Sequence, residues 1–287
     1  MHVFITGATG WVGSAVVADL LAAGHAVTGL VRDSSKAAHL ISRGMKAIAS
    51  SLDDLDSLRV AAASADAVIH TAWGRDYSRI AENCAQDCQV INALGSALEG
   101  SGRPLLVTSG LLGLPKAASE TDMPNPASPR KSEATAREWA ERGVHAATVR
   151  LAPSVHGAGD HGFVPILIRI AKQKGVSAYI GDGQNCWAGV SRQDAARVFR
   201  LALEQGVTES VYHAVADEAV PFKAIAERIG HQLNLPVESR ESIFFEWFAH
   251  FAKSDMSASS TRTREKLAWT PQGPSLLEDL NLLDYYK

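Results

Sequence analysis

Short β-rich runs alternate with helix-forming stretches through the first two-thirds of this chain, and few folds accommodate that rhythm. The runs are HVFIT (2–6), AVTGLV (26–31), MKAIA (45–49), AVIHT (67–71), PLLVTS (104–109), HAATVRL (145–151) and VYHAV (211–215). Between them lie SAVVADLLAAG, DSLRVAAAS, CAQDCQVINALGSALEG, EATAREWAERG and RQDAARVFRLALEQG. Several end in Gly, which closes helices by taking a left-handed conformation just past the last turn. Parallel neighbours in a sheet need long crossover connections, so strand, helix, strand, repeated, predicts an α/β fold: a doubly wound parallel sheet with helices on both faces.

After Arg150 the rhythm changes. LAPSVHGAGDHGFVP and AYIGDGQNCWAG are rich in Gly, Pro and aromatic residues, and the pattern from Pro221 onward is mainly helical. Open α/β sheets bind ligands in crevices outside the carboxyl ends of their strands, where such loops sit. We therefore expect a nucleotide lobe over 1–155, completed by 190–215, and a smaller substrate lobe from 156–189 and 216–287. Within the latter, ESIFFEWFAHFAKSD puts Phe244, Trp247, Phe248 and Phe251 at i, i+3, i+4 and i+7, the spacing of one helix face. That face reads first as buried core and second as a lid or dimer surface over an apolar substrate.

The first junction carries the chemistry. GATGWVG spaces Gly7, Gly10 and Gly13 directly after a strand and at the start of a helix. In that context the first glycine permits a tight turn, the second lets backbone approach a pyrophosphate, and the third lets the helix pack closely. Amides at the helix start then face the anion, helped by the helix dipole. A P-loop is excluded, because Ser14 follows Gly13 and there is no Gly-Lys pair. The second strand ends at Val31, followed by Arg32 and Asp33. An acid there suits the ribose 2′-hydroxyl of NAD, whereas a guanidinium suits the 2′-phosphate of NADP. With Arg32 directly after the strand, NADP is the favoured reading and NAD the alternative.

Bulk composition narrows the partners. With 28 basic and 31 acidic side chains there is no field to hold nucleic acid or an anionic membrane, so a small-molecule partner is expected. No apolar run approaches the roughly 18 residues of a membrane helix. Three cysteines, Cys84, Cys88 and Cys186, make no disulfide framework, and MHVFIT lacks the features of a signal peptide. These features point to a reduced, cytoplasmic protein, and no metal site is expected because the Cys84/Cys88 pair has no companions to complete four ligands.

Taken together in order, TGATGWVG, VIHTAW, CQVINALG, LLVTSG, VRLAPSVHGAGD and REKLAWTP resemble the NAD-dependent epimerase/dehydratase group, the extended branch of the short-chain dehydrogenase/reductases. The likeness runs from residue 2 to about 271. It implies a Rossmann-type lobe of seven strands and a C-terminal substrate lobe, with a homodimer as a common arrangement among relatives. Carried over, it puts the pyrophosphate at Ala8, Thr9, Gly10, Trp11 and Val12, the adenine edge at Ser51 and Leu52, the cofactor ribose at Thr71 and Ala72, and the nicotinamide amide at the Pro153–Val155 backbone. Asn92 matches a family Asn, although its own chemistry suggests a local bond to backbone.

The likeness breaks at its catalytic centre. The family pairs a Ser or Thr at the end of the fifth strand with Tyr-x-x-x-Lys on the next helix, the Lys lowering the phenol's pKa from about 10. Ser109 fits the first role. NPASPRKSEATAREW holds no Tyr in either register, Ala127 standing four before Lys131, and Asn125 and Pro129 standing before Glu133. The chain is thus an atypical member. Tyr77, past VIHTAWGRD, and His156, which titrates near neutrality, are the candidate proton carriers; His70 belongs to its strand. Arg169, Lys172, Lys174 and Arg192 read as scattered solvated charge rather than a diphosphate clamp. The expected function is an NAD(P)-dependent oxidoreductase acting on a small, rather apolar carbonyl or alcohol. A non-catalytic redox-sensing NAD(P)-binding protein and a nucleotide-sugar epimerase/dehydratase are the alternatives.

Overall fold

A computed structural model of the chain describes residues 1–74 and 76–286. Twelve strands run as β1 (His2–Thr6), β2 (Ala26–Val31), β3 (Lys46–Ala49), β4 (Ala67–His70), β5 (Pro104–Gly110), β6 (His145–Leu151), β7 (Ser154–His156), β8 (Ser177–Tyr179), β9 (Cys186–Ser191), β10 (Val211–Ala214), β11 (Asp217–Pro221) and β12 (Val237–Ser239). The main helices are α1 (Trp11–Ala22), α2 (Ser34–Ile41), α3 (Leu55–Ala63), α4 (Ile80–Leu98), α5 (Ser132–Glu141), α6 (Phe163–Lys174), α7 (Arg192–Glu204) and α8 (Phe222–Leu233). No described helix is long and apolar enough to cross a membrane.

Seven strands form one sheet in the order β10-β6-β5-β4-β1-β2-β3, with all neighbours parallel. This is the expected Rossmann-type α/β sheet, and its seven strands lie where the β-rich runs placed them, within one residue at each end. Its side chains alternate between two cores, as a strand's period of two requires. Val3 and Ile5 join α1 and α7 on one face, while Phe4 meets Leu58, Val90, Leu94 and Trp139 on the other. The chain reverses direction between β1 and β4, and the crevice at such a switch point is where open sheets take ligands.

Short strands in the expected loops make two further sheets. β9 pairs with β7 in parallel and β11 in antiparallel fashion, and β8 pairs with β12. Runs of three to six residues paired with distant segments carry little periodicity, so the sequence does not announce them. The aromatic stripe also departs from expectation. A 3-10 run, Ser242–Phe248, is broken at Glu246 (φ 53°, ψ −129°) before the short helix α9 (Ala249–Lys253). Lys174 holds the break, its Nζ donating to the Phe244 carbonyl at 2.7 Å and pairing with Glu246 at 2.8 Å. The kink buries Phe245 and Phe248 and leaves Trp247 53 % exposed, so no single helix face carries all four rings.

Candidate active site

The site grows from the turn that leaves β1. Gly7 has φ +72°, and Gly10 N donates to its carbonyl at 2.8 Å. A Cβ on Gly13 would stand 2.1 Å from Gly7 O and 2.6 Å from Thr71 Oγ1, so only glycine lets α1 come this close. No side chain caps α1, and its first turn holds no acid. The amides at its start, with the positive end of the dipole, are therefore left for an anion from the cleft. Thr71 Oγ1 donates to Thr6 O at 2.7 Å, fixing the neighbouring wall where β4 ends.

A continuous cleft of about 1980 Å³ passes over this turn. Gly7, Thr9, Gly10, Trp11, Val12, Gly13, Arg32, Ser51, Leu52, Thr71, Ala72, Pro153 and Val155 all line it. Ala8 does not: it is fully buried, its methyl turned toward Gly29 of β2. Its role is to pack the turn. Asp33 caps α2 by accepting from Ser35 N at 2.9 Å, whereas Arg32 is exposed to the cleft. The Trp11 indole donates to Val155 O at 2.6 Å, while the Arg192 guanidinium lies 4.1 Å over its ring and donates to Trp11 O. Arg192 is thus a brace for α1 and not solvated charge.

At the other end of the cleft stand Ser109 and Tyr77. Ser109, the last residue but one of β5, is 9 % exposed; beside it Thr108 Oγ1 is buried without a hydrogen-bond partner. The Tyr77 ring stacks on Trp247 (centroids 5.4 Å) and meets Phe251 (5.8 Å) and Phe163 (6.2 Å). His156 is not with them. It is fully buried off the cleft, with Nδ1 2.8 Å from Asp279 Oδ2, so the expectation that it carries the reacting proton is corrected. Its place on β7 points it toward Asp279, at the end of the short helix Leu276–Asp279.

The structure belongs with a known group. A model of the NAD dependent epimerase/dehydratase family matches residues 3–215. The chain belongs to that family. It is 46% identical over 289 residues to the protein C2A9.02 of Schizosaccharomyces pombe and 43% identical over 292 residues to YLL056C of Saccharomyces cerevisiae, with 98% of each chain covered in both comparisons. Among solved structures it resembles the dTDP-glucose 4,6-dehydratase DesIV of Streptomyces venezuelae, with NAD and TYD bound, at a TM-score of 0.79 and 18% identity, covering 100% of this chain and 97% of that one. The family's members take their name from NAD-dependent chemistry, and this chain shares their Rossmann-like sheet.

The stretch leading into α5 holds no phenol, but it offers a guanidinium to the cleft. Arg130 lines the cleft, stacks 4.1 Å over Trp73, and donates from Nη2 to Thr108 O (2.8 Å) and from Nε to Ser132 Oγ (2.8 Å). The β4 ladder ends at Val107, so Arg130 meets the next carbonyl of β5 just beyond it. Behind it runs a buried polar chain: Ser132 Oγ donates to Asp87 Oδ2 (2.5 Å), Asp87 Oδ1 meets His70 Nε2 (3.0 Å), and His70 Nδ1 meets Thr6 Oγ1 (2.6 Å). Burial alone would raise the Asp87 pKa, but the His70 bond and the Arg130 charge outweigh it and hold it below the usual carboxylate range. Burial pulls the Arg130 pKa down, with Asp87 opposing; the group stays charged.

Two residues were not legible as site residues. Arg130 lies in PRKSE, and its signal is a cation two residues before the helix that follows β5. Asp160 lines the cleft in the loop before α6, and burial pushes its carboxyl up to about 6 against the Gly162 amide bond that lowers it. Asn92 accepts from the Trp139 indole at 2.9 Å, so it serves α4–α5 packing rather than local backbone.

Proposed function

We propose that this protein is an NAD(P)-dependent oxidoreductase, NADP-preferring, that acts on a small, rather apolar carbonyl or alcohol. The observation that carries this reading is the single cleft that joins the glycine turn and Arg32 to Ser109 and an aromatic wall. The residues fit a dinucleotide: uncapped α1 amides for the diphosphate, Ser51 and Leu52 for the adenine edge, Thr71 and Ala72 for a ribose, and the Pro153 and Val155 backbone for the carboxamide. NADPH held there would supply the hydride for a carbonyl carbon, and the carbonyl oxygen would need a proton from the protein. Ser109 polarises that oxygen by donating its hydroxyl, and Tyr77 donates the proton from the opposite wall. Phe163, Trp247 and Phe251 exclude water, which strengthens those hydrogen bonds.

Screening aldehydes and ketones for NADPH oxidation tests the reading. Ser109→Ala should lower kcat/KM by about 10²-fold, the usual worth of a polarising donor. Arg32→Ala should raise the NADPH Kd at least tenfold while leaving NADH within twofold; equal effects on both would remove the NADP preference. The absent phenol at α5 favours a second reading, a binding protein that senses the cofactor's redox state. Tight NADPH binding with no turnover of any carbonyl would select it, whereas conversion of UDP-glucose would select a nucleotide-sugar enzyme.

A further inference from the structure

We infer that Arg130 is a specificity-determining anchor for a carboxylate, so that the substrate is an apolar oxo acid or hydroxy acid rather than a neutral carbonyl compound. This rests on the oxidoreductase reading and deepens it. The guanidinium is held in place by three contacts: Trp73 beneath its plane, Ser132 Oγ at Nε and Thr108 O at Nη2. A planar fork fixed in this way loses little freedom when it binds a planar anion. Its third nitrogen, Nη1, has no hydrogen-bond acceptor among the described residues. No carboxylate there pairs directly with the group, since Asp87 reaches it only through the Ser132 hydroxyl. The other charges near α5 are engaged elsewhere: Glu133 with Arg150, and Lys131 Nζ with the Pro126 carbonyl.

Arg130 is half-buried and lines the cleft, so the open edge of its fork is left for a planar anion there. Ser109, one residue past the Thr108 carbonyl that Arg130 grips, lines the same cleft. The rest of the ligand then lies along Tyr77, Phe163, Trp247 and Phe251, which favours a branched or aryl group. Arg130 thereby holds the carboxylate, and the adjacent carbonyl is left for Ser109.

The test uses the NADPH-loaded protein, titrated with phenylacetate and with its neutral counterpart phenylacetamide and followed by nicotinamide fluorescence. Wild type should bind phenylacetate at least tenfold more tightly. Arg130→Met should raise the phenylacetate Kd at least tenfold, with phenylacetamide and NADPH each within twofold. Arg130→Lys, which keeps charge without the fork, should fall between. Equal binding of the two probes by wild type overturns the inference, and so does a preference that survives in Arg130→Met. The wild-type comparison decides the matter even where Arg130→Met does not fold. Failure of wild type to bind NADPH overturns the oxidoreductase reading instead, so the two failures are told apart.

Discussion

Gly13→Ala should abolish dinucleotide binding and cost about 3 kcal/mol of stability, the upper end for an added methylene in a packed site. The new Cβ would meet Gly7 O at 2.1 Å and Thr71 Oγ1 at 2.6 Å. A backbone carbonyl in a tight turn cannot swing aside as a side chain can. Relief must come from sliding α1 off β1, which displaces the amides that face the diphosphate. A melting temperature lower by roughly 6–12 °C, together with loss of NADPH titration, is the expected result. Gly110→Ala is the control: its Cβ would stand 4.0 Å from the nearest atom, Leu151 O, and its melting temperature should be close to wild type. Unchanged NADPH affinity in Gly13→Ala would mean that the anion does not sit at this turn.

Arg150→Met should be the most destabilising change away from the cleft, by about 3–5 kcal/mol, the cost of stranding one member of a buried ion pair. Arg150 is fully buried, and its fork meets both oxygens of Glu133 at 2.8 and 2.7 Å, with a further bond to Asp122 O at 2.6 Å. Adding Glu133→Leu should restore much of the loss in urea denaturation, because the uncompensated carboxylate goes with it. The same guanidinium lies 3.0 Å from His213 Nε2, and His213 Nδ1 is 2.7 Å from the Ser259 carbonyl. Burial holds the His213 pKa below 6.5, with Arg150 adding to the effect. Because the folded pKa lies below the unfolded one, the unfolded chain takes up the proton first. Stability is complete above about pH 6.5 and falls as pH drops through that value toward the folded pKa. Asp160 acts in the opposite sense: its folded pKa of about 6 exceeds 3.8, so acidification between those values favours the fold. Comparing wild type with His213→Gln across pH 7 to 5 isolates the histidine's share.

The sheet was legible because its inner strands are buried on two faces and read as apolar runs, and because a parallel arrangement forces a helix between neighbours; only the edge strand β3 is largely exposed. The glycine turn was legible for a related reason: close approach leaves no chemical freedom at Gly7 and Gly13. Other features depend on partners far away in the chain. His156 looks like a free acid–base group until Asp279 is seen beside it, and Arg192 looks solvated until Trp11 is seen under it. The aromatic stripe reads as a helix face because spacing says nothing of a break at Glu246, which Lys174 stabilises from another element. Arg130 was not legible because its role rests on Trp73, Thr108 and Ser132, which the sequence spreads over 59 positions.

The contact between the Trp11 indole and the Val155 carbonyl spans 144 positions of sequence and joins the first helix to β7. With Arg192 stacked on one side of the ring and His161 edge-on to it at 5.4 Å, the indole is a dowel that ties α1 to the start of α7 and to the loop before α6. The glycine turn and β7 therefore cannot tilt independently, and any movement that parts them must first break that contact.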